Sequence, residues 1–389
     1  MTILYIIDYG TKGGATVAFV DMVCQMSNNG ITPIVVTGKY SQLNESLEDK
    51  GIKTVAAGHY TALEPFSFNH LRSPLGYLKR LFRYWFFEVL AYRRLCKKID
   101  FNNIDLIHTN SARNTIGCRL AKKYSLPHVM HIREFGEKDF KCIKLMPNYI
   151  EFLNRNSTVF VSVSKSICDY WNRKGIDESK NRVIYDGVNN RDIEPSPESK
   201  RNDTLKMLIV GGVVKTKGQH LAVQAIGLLP EPVRRNVHLD VYGWGNAEYI
   251  KDMKQYAINH GYASNIDFKG AVNDIHQRLK YYDVGLMCSR SEGFGLVTAE
   301  YMHAGLGVIA SNSGACPEIV DDGVTGLLFE SGNPEDLAKC IQLFYNDRNL
   351  LESCGMAAKQ KAKQKYTDEI NSQNIRELYK ELTQKKDYR

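Results

Sequence analysis

Two glutamates with seven residues between them, Glu292 and Glu300, bracket Gly293-Phe294-Gly295 in the stretch SEGFGLVTAE. A carboxylate accepts paired hydrogen bonds from vicinal hydroxyls, which is what a ribose or a hexose offers. The apolar run VGLM before Cys288 reads as a strand, and a helix is predicted to begin near Leu296. A strand, a glycine-containing turn and a helix start make an anion site, because free backbone N–H groups and the helix dipole favour phosphate there. The glycines let the backbone approach a ligand closely. Either glutamate alone reads as an ordinary surface acid; the whole stretch points to a pocket for phosphate and sugar hydroxyls.

Other residues of the right type lie elsewhere in the chain. Lys215 and Lys217 stand in VGGVVKTKGQH, directly after a predicted strand, where an ammonium can face a phosphate. The segment is no P-loop, since no GK[ST] follows a properly spaced glycine. Gly13 and Gly14 precede a predicted helix Ala15–Asn28, a second phosphate-facing helix start. His131 closes the strand in HVMHIREF, where a neutral imidazole can hydrogen-bond a sugar hydroxyl. His108 in IDLIHTN is a weaker candidate of the same kind, and His128 with His131 lacks the further ligands of a metal site. Arg133 and Glu134 fit either an acceptor contact or an interdomain ion pair.

Short apolar strands alternating with amphipathic helices must position these groups, a pattern of parallel α/β architecture. Strands are predicted at Ile3–Ile7, Pro33–Thr37, Asp105–His108, His128–Ile132, Val159–Val163 and Val183–Tyr185. A polar, proline-containing stretch without periodicity follows, and residues 191–204 read as a linker. The pattern restarts with Lys206–Val210, Val237–Val241, Ile266–Phe268, Val284–Met287 and Val308–Ala310. Two Rossmann-like domains are thus expected, 1–190 and 205–366, with parallel sheets facing an interdomain cleft. A terminal helix, 367–389, carries an apolar stripe of Ile370, Ile375, Leu378, Tyr379 and Leu382 suited to packing back on the first domain.

The 389 residues suit two domains, and 43% hydrophobic with 24% charged residues is a globular balance. No apolar run approaches the roughly 18 residues of a membrane span. The nine cysteines are scattered without ligand spacing, as expected of reduced thiols in a cytoplasmic protein. Of the net charge of +8, +7 lies within Leu71–Lys98, whose eight cations face the single acid Glu88. Nucleic-acid binding by the whole protein is therefore a poor explanation. The same segment sets Leu78, Leu81, Phe82, Trp85, Val89, Tyr92, Cys96 and Ile99 at helical spacing. It reads either as a helix docked on the first domain or as a contact with anionic membrane.

The block EGFGL…AE…AG…VIAS…G…PE, continuing as DGVTGLLF and GNPEDLA, resembles the retaining family 4 (group 1) glycosyltransferases of GT-B fold. YGTKGGATVAFV, IDLIHTN, HVMHIREF, VSVSKS and VIYDGVN extend the resemblance over nearly the whole chain. It implies that Glu300 binds the ribose of a nucleoside-diphosphate sugar and that Glu292 contacts the donor sugar near the reacting centre. Phe294, Gly295 and Leu296 would hold the sugar and the diphosphate through their backbone, with Gly13 and Gly14 against the diphosphate. Lys217 falls on the family lysine and His131 on the family histidine beside the donor sugar. The family arginine position is Gly212 here, a departure for which Lys215 is the candidate substitute. The implied reaction moves a hexose from a UDP- or GDP-linked donor to an acceptor hydroxyl with retention of configuration, without metal or cofactor. No D-x-D occurs in the chain, which disfavours a metal-dependent GT-A enzyme. A lipid-linked or surface-polysaccharide glycan is the expected acceptor, and a place at the inner face of the cell membrane the expected location. The alternatives are a catalytically silent nucleotide-sugar-binding subunit, favoured by Gly212, and a GT-B epimerase.

Overall fold

The computed structural model describes residues 1–8, 13–65, 74–189 and 203–384, with the side chains of 65, 74, 139 and 140 outside that description. The predicted linker falls mostly outside the described residues, as do 71–73 of the basic segment and 9–12 of the first glycine turn. The chain forms two units: Met1–Asp186 with Asp368–Arg389, and Gly187–Thr367.

In the first unit the strands are β1 (Thr2–Ile7), β2 (Thr32–Thr37), β3 (Lys53–Ala56), β4 (Leu63–Pro65), β5 (Leu106–Asn110), β6 (His128–Ile132), β7 (Cys142–Lys144), β8 (Val159–Ser162) and β9 (Asn181–Val183). Seven of them make a parallel sheet in the order β3-β2-β1-β5-β6-β8-β9, while β4 and β7 pair antiparallel beside it. Period-two alternation sends successive side chains of β1 to opposite faces. Ile3, Tyr5 and Ile7 meet Phe19, Met22 and Met26 of the helix Gly14–Asn28, together with Ile375, Leu378, Tyr379 and Leu382 of the terminal helix Asp368–Gln384. Leu4 and Ile6 meet Ala91 and Leu95 of the helix Pro74–Lys98 and Ile116 and Leu120 of the helix Ile116–Tyr124. Both faces of the strand are covered, which is why it reads as an unbroken apolar run.

In the second unit β10 (Leu205–Val210), β11 (Val237–Tyr242), β12 (Ile266–Gly270), β13 (Val284–Met287), β14 (Gly307–Ser311) and β15 (Leu327–Phe329) form a parallel sheet in the order β12-β11-β10-β13-β14-β15. The order reverses at β10, whose neighbours are β11 and β13, and ligands of such sheets bind beyond the carboxyl ends of the strands at that reversal. β10 leads into the two lysines and β13 into Glu292.

The structure corrects one reading of the basic helix. Of the stripe expected to act together, Leu78, Phe82, Trp85 and Val89 are exposed, and the side that packs inward carries Tyr84, Glu88, Ala91 and Leu95. Leu95, on the same inward side, was absent from the expected stripe because the aromatic residues dominated the pattern.

Candidate active site

The second unit gathers most of the candidate residues around one turn. After β13 the chain runs through Ser289–Gly293 to Gly295, which caps the helix Leu296–His303 with φ +88. That left-handed backbone favours glycine, and a Cβ there would also press on Glu292 Cγ at 3.1 Å and Thr298 Oγ1 at 3.2 Å. Phe294 turns its ring inward, edge-on to Tyr366 at 5.6 Å, so that only its backbone is offered to a ligand. The loop after β14 braces the same turn. Ala315 N donates to Glu292 O at 3.0 Å, and Gly314, at φ +61, lies so close that a Cβ would meet Glu292 N at 2.6 Å. Ser313 Oγ donates to Arg290 O at 2.6 Å.

Lys217 ends a single 3-10 turn, Lys215–Lys217, just ahead of the helix Gln219–Leu228. Its Nζ donates to Glu292 Oε2 at 2.8 Å, with Glu292 largely buried and Lys217 half-open. A lysine after β10 and a glutamate after β13 thus meet as a pair, 75 residues apart in sequence. A pair in this setting holds both side chains in place and keeps the ammonium charge at the turn, where a phosphate can meet it. Lys215 is exposed and turned to solvent. Glu300 lies one turn into its helix, with His276 Nε2 3.9 Å from its Oε1.

Gly212 is exposed, its φ is not positive, and an added Cβ would meet only Trp244 O, at 4.0 Å. The backbone would accept a larger side chain there. Gln219 Nε2 holds the Gly212 carbonyl at 2.9 Å. Sequence reasoning passed over Arg290, whose backbone N–H donates to Thr216 O at 3.1 Å and whose charge, with that of Lys215, lowers the pKa of His220 after burial has done so. The signal was present in SRSEGFGL, but an arginine in a turn next to two motif residues carries no spacing of its own.

The first unit places Gly13 at the cap of the helix Gly14–Asn28, in extended conformation, with Thr16 N and Val17 N donating to its carbonyl. His131 is fully buried. Its Nδ1 lies 3.1 Å from His108 Nε2, and His108 Nδ1 lies 2.6 Å from Tyr379 Oη on the terminal helix. Burial first, then the Arg133 charge, holds both imidazoles well below the usual histidine range, so the relay is neutral. If Tyr379 donates to His108 and His108 to His131, the series ends on Nε2–H of His131 as a donor. That nitrogen has no hydrogen-bond partner among the described residues. His128, in contrast, is satisfied by Thr109 and Ser157 and is structural.

Arg133 does not need a partner from the other unit. Its Nη1 bonds Asp186 Oδ1 at 2.6 Å and its Nε bonds Asn110 at 2.6 Å, all inside the first unit. Glu134 accepts from Ser111 Oγ at 2.7 Å and its carbonyl from Trp171. Both residues therefore serve the first unit's own polar core. Among the described residues one group has metal-ligand character, His238, Asp240 and Asp267 on β11 and β12, and Lys269 Nζ bridges its carboxylates at 3.5 and 2.6 Å. None of the candidate residues above belongs to it.

Comparison with known proteins gives this geometry a family. A model of "Glycosyl transferases group 1" matches residues 190–361, and one of "Glycosyltransferase Family 4" matches 12–191. An uncharacterized glycosyltransferase of Methanocaldococcus jannaschii is 29% identical over 300 residues, 75% of this chain and 80% of its own. The capsular polysaccharide biosynthesis glycosyltransferase CapM of Staphylococcus aureus is 26% identical over 192 residues, 49% of this chain and 50% of its own. Among solved structures HepE of Anabaena, crystallised with UDP and glucose, superposes with a TM-score of 0.76 at 21% identity, covering 98% of this chain and 100% of that one. Matched along both units by sequence and by fold, the chain belongs to the group 1, family 4 glycosyltransferases and has their GT-B fold.

Proposed function

We propose that the chain transfers a hexosyl group, with retention, from a UDP- or GDP-linked donor to an acceptor hydroxyl. The observation that carries this is the Lys217–Glu292 pair set against the glycine-capped start of the helix Leu296–His303. When the glycosidic bond breaks, negative charge grows on the departing diphosphate. Lys217 and the free N–H groups at Leu296 are fixed in advance to receive it, the arrangement that lowers a barrier most. Glu292 and Nε2 of His131, unpartnered among the described residues, are assigned to sugar hydroxyls, Glu300 to the ribose, and Gly13 and Gly14 to the diphosphate. No metal takes part; chelation with EDTA leaves the rate unchanged on this reading, and a drop that added metal restores argues against it.

The UDP and glucose bound to HepE of Anabaena support a uridine nucleotide, and the capsular relative supports a surface-polysaccharide acceptor. A lipid-linked acceptor accords with the basic helix, which would hold the enzyme at the inner face of the membrane; no described helix is long and apolar enough to cross one. A panel of UDP- and GDP-sugars, scored for nucleotide release and for the melting shift each produces, tests the donor. Binding without turnover, given a competent acceptor, would favour the second reading, a silent nucleotide-sugar-binding subunit, for which the missing arginine at Gly212 speaks. Arg290 and Lys215 are the cations at hand to replace it.

A further inference from the structure

The first unit carries a second constellation, distinct from the residues assigned to the donor. The helix Pro74–Lys98 leaves Leu75, Leu78, Phe82, Phe86, Val89 and Leu90 in solvent, Phe82 being 69% exposed. Spacings of three and four residues put these six side chains on one face. An apolar strip of this length is seldom left bare on a monomer without a partner to cover it. Arg93 and Lys97 continue the same face beyond Leu90.

Between this helix, the helix Ile116–Tyr124 and the helix Tyr149–Asn156 lies a cavity of about 680 Å³, walled by Trp85, Val89, Tyr92 and Phe152. Arg93, Arg119, Lys122 and Lys123 enter it against one acid, Glu88. The Arg119 guanidinium is held between two rings, 4.9 Å from Trp85 and 5.2 Å from Phe152. Its Nε stands 3.5 Å from Glu88 Oε1, yet neither Nε nor Nη2 finds a hydrogen-bond partner among the described residues. Glu88 is itself fully buried, and its Oε2 is also without a partner. Burial raises its carboxyl to about 7, so near neutral pH it offers the cavity less than a full negative charge against four cations. A guanidinium clamped between two rings at the wall of the cavity, with three further cations around it, is preorganised for an oxyanion that presents two or more oxygens.

We infer that this cavity binds the phosphate of an anionic lipid headgroup while the strip from Leu75 to Leu90 lies in the acyl boundary of the bilayer. The assignment rests on the membrane-contact part of the proposed function and is independent of its donor chemistry. Charge decides between a bilayer and a second copy of the chain. A two-fold contact through this face would bring its cations against their own copies, whereas an anionic bilayer complements them.

Co-sedimentation of the full chain with vesicles tests the assignment, comparing pure phosphatidylcholine with a 70:30 mixture of phosphatidylcholine and phosphatidylglycerol. The mixture should bind the chain at least tenfold more tightly, and each of K122A and K123A should lower that binding about fivefold, the usual weight of one cation near a charged surface. R119Q should remove most of the preference; because it also leaves Glu88 alone, the two exposed lysine variants carry the test should R119Q fail to fold. F82D should abolish binding to both vesicles. Equal binding to both compositions would overturn the headgroup pocket and leave the apolar contact standing. Stabilisation by inorganic phosphate, lost in R119Q and unaccompanied by a vesicle preference, assigns the cavity to a soluble phosphate and overturns the lipid. A concentration-dependent dimer that F82D dissolves, without vesicle binding, overturns both. The donor-induced melting shift, measured without lipid, reports the transferase reading separately.

Discussion

The two units hold their candidate chemistry in opposite ways. In the second, Glu292, Lys217 and the helix start at Leu296 come from loops after strand ends, and glycines with positive φ bring backbone to the ligand. In the first, His131 lies inside the sheet and is reached through His108 from Tyr379, with Arg133 and Asp186 buried nearby. One unit offers a charged, open turn; the other offers a neutral, dry relay. The contrast fits the proposed roles: charge close to water suits a donor's phosphate, whereas a fixed tautomer, which burial and hydrogen bonding supply, suits a group proposed to meet the sugar.

The largest effect expected of this division is on turnover. Lys217→Ala and Glu292→Ala should each lower kcat about a hundredfold, near 3 kcal/mol, with a far smaller effect on melting temperature, because Lys217 is half-open and the turn at Glu292 is braced through its backbone. Rates near wild type, measured with any donor the chain accepts, would sink the assignment of this turn to catalysis.

A smaller effect separates the units by pH. Burial lowers His59 to about 4 and His128 to about 3, and holds His108 and His131 below the usual range, all four in the first unit. A histidine with a depressed folded pKa contributes stability above its unfolded value near 6.5 and loses it as pH falls toward the folded value. At pH 5 the loss is about 2 kcal/mol for a histidine displaced this far. In the second unit His220 is lowered but His238 is raised by Asp240, so the two oppose one another. Denaturation of a Trp244→Phe variant, whose remaining tryptophans Trp85 and Trp171 lie in the first unit, should show the acid-sensitive transition. An equal loss in the second unit, read from Trp244 in a variant lacking the other two, breaks the contrast.

Smaller still is the effect of loosening the relay. Tyr379→Phe keeps the packing and removes the hydroxyl from His108, so kcat should fall about tenfold with KM nearly unchanged, as an orientation effect near 1.4 kcal/mol. A drop in melting temperature with unchanged kcat gives Tyr379 a role in folding alone. The mildest change is Gly212→Arg, which the backbone accommodates. It should raise kcat/KM roughly threefold if the diphosphate lacks a fork of donors. No gain in Gly212→Arg, combined with a large loss in Arg290→Ala, assigns that work to Arg290.

How much of this could be read from residues alone differs between the units for the same reason. Strands β6 and β13 lie where the apolar runs put them, and the helix at Leu296 begins where its glycine turn ends, because local pattern and backbone geometry agree. β3, β9 and β15 were missed or displaced: each is only three or four residues long, too short for a period to show. The loop motif carries its function in glycines that any reader can see. The relay does not, since Tyr379 and His108 stand 271 residues apart and meet only through packing. Arg133 was equally unreadable: nothing near it in sequence names Asp186, 53 residues on, as its partner. The helix Pro74–Lys98 misled because its most apolar residues face outward, the reverse of the rule that assigns such stripes to a core.

The terminal helix Asp368–Gln384 has a consequence for how the protein is made. Ile375, Leu378, Tyr379 and Leu382 complete the core over β1 and β5, so the first unit emerges from the ribosome early yet lacks one wall of its interior until the chain has been extended through 384. The second unit, continuous in sequence, is whole before that wall arrives. Folding during synthesis should therefore finish in the reverse of the usual order, with the later-made unit complete first and the earlier one waiting, its apolar face open to chaperones, for its last helix.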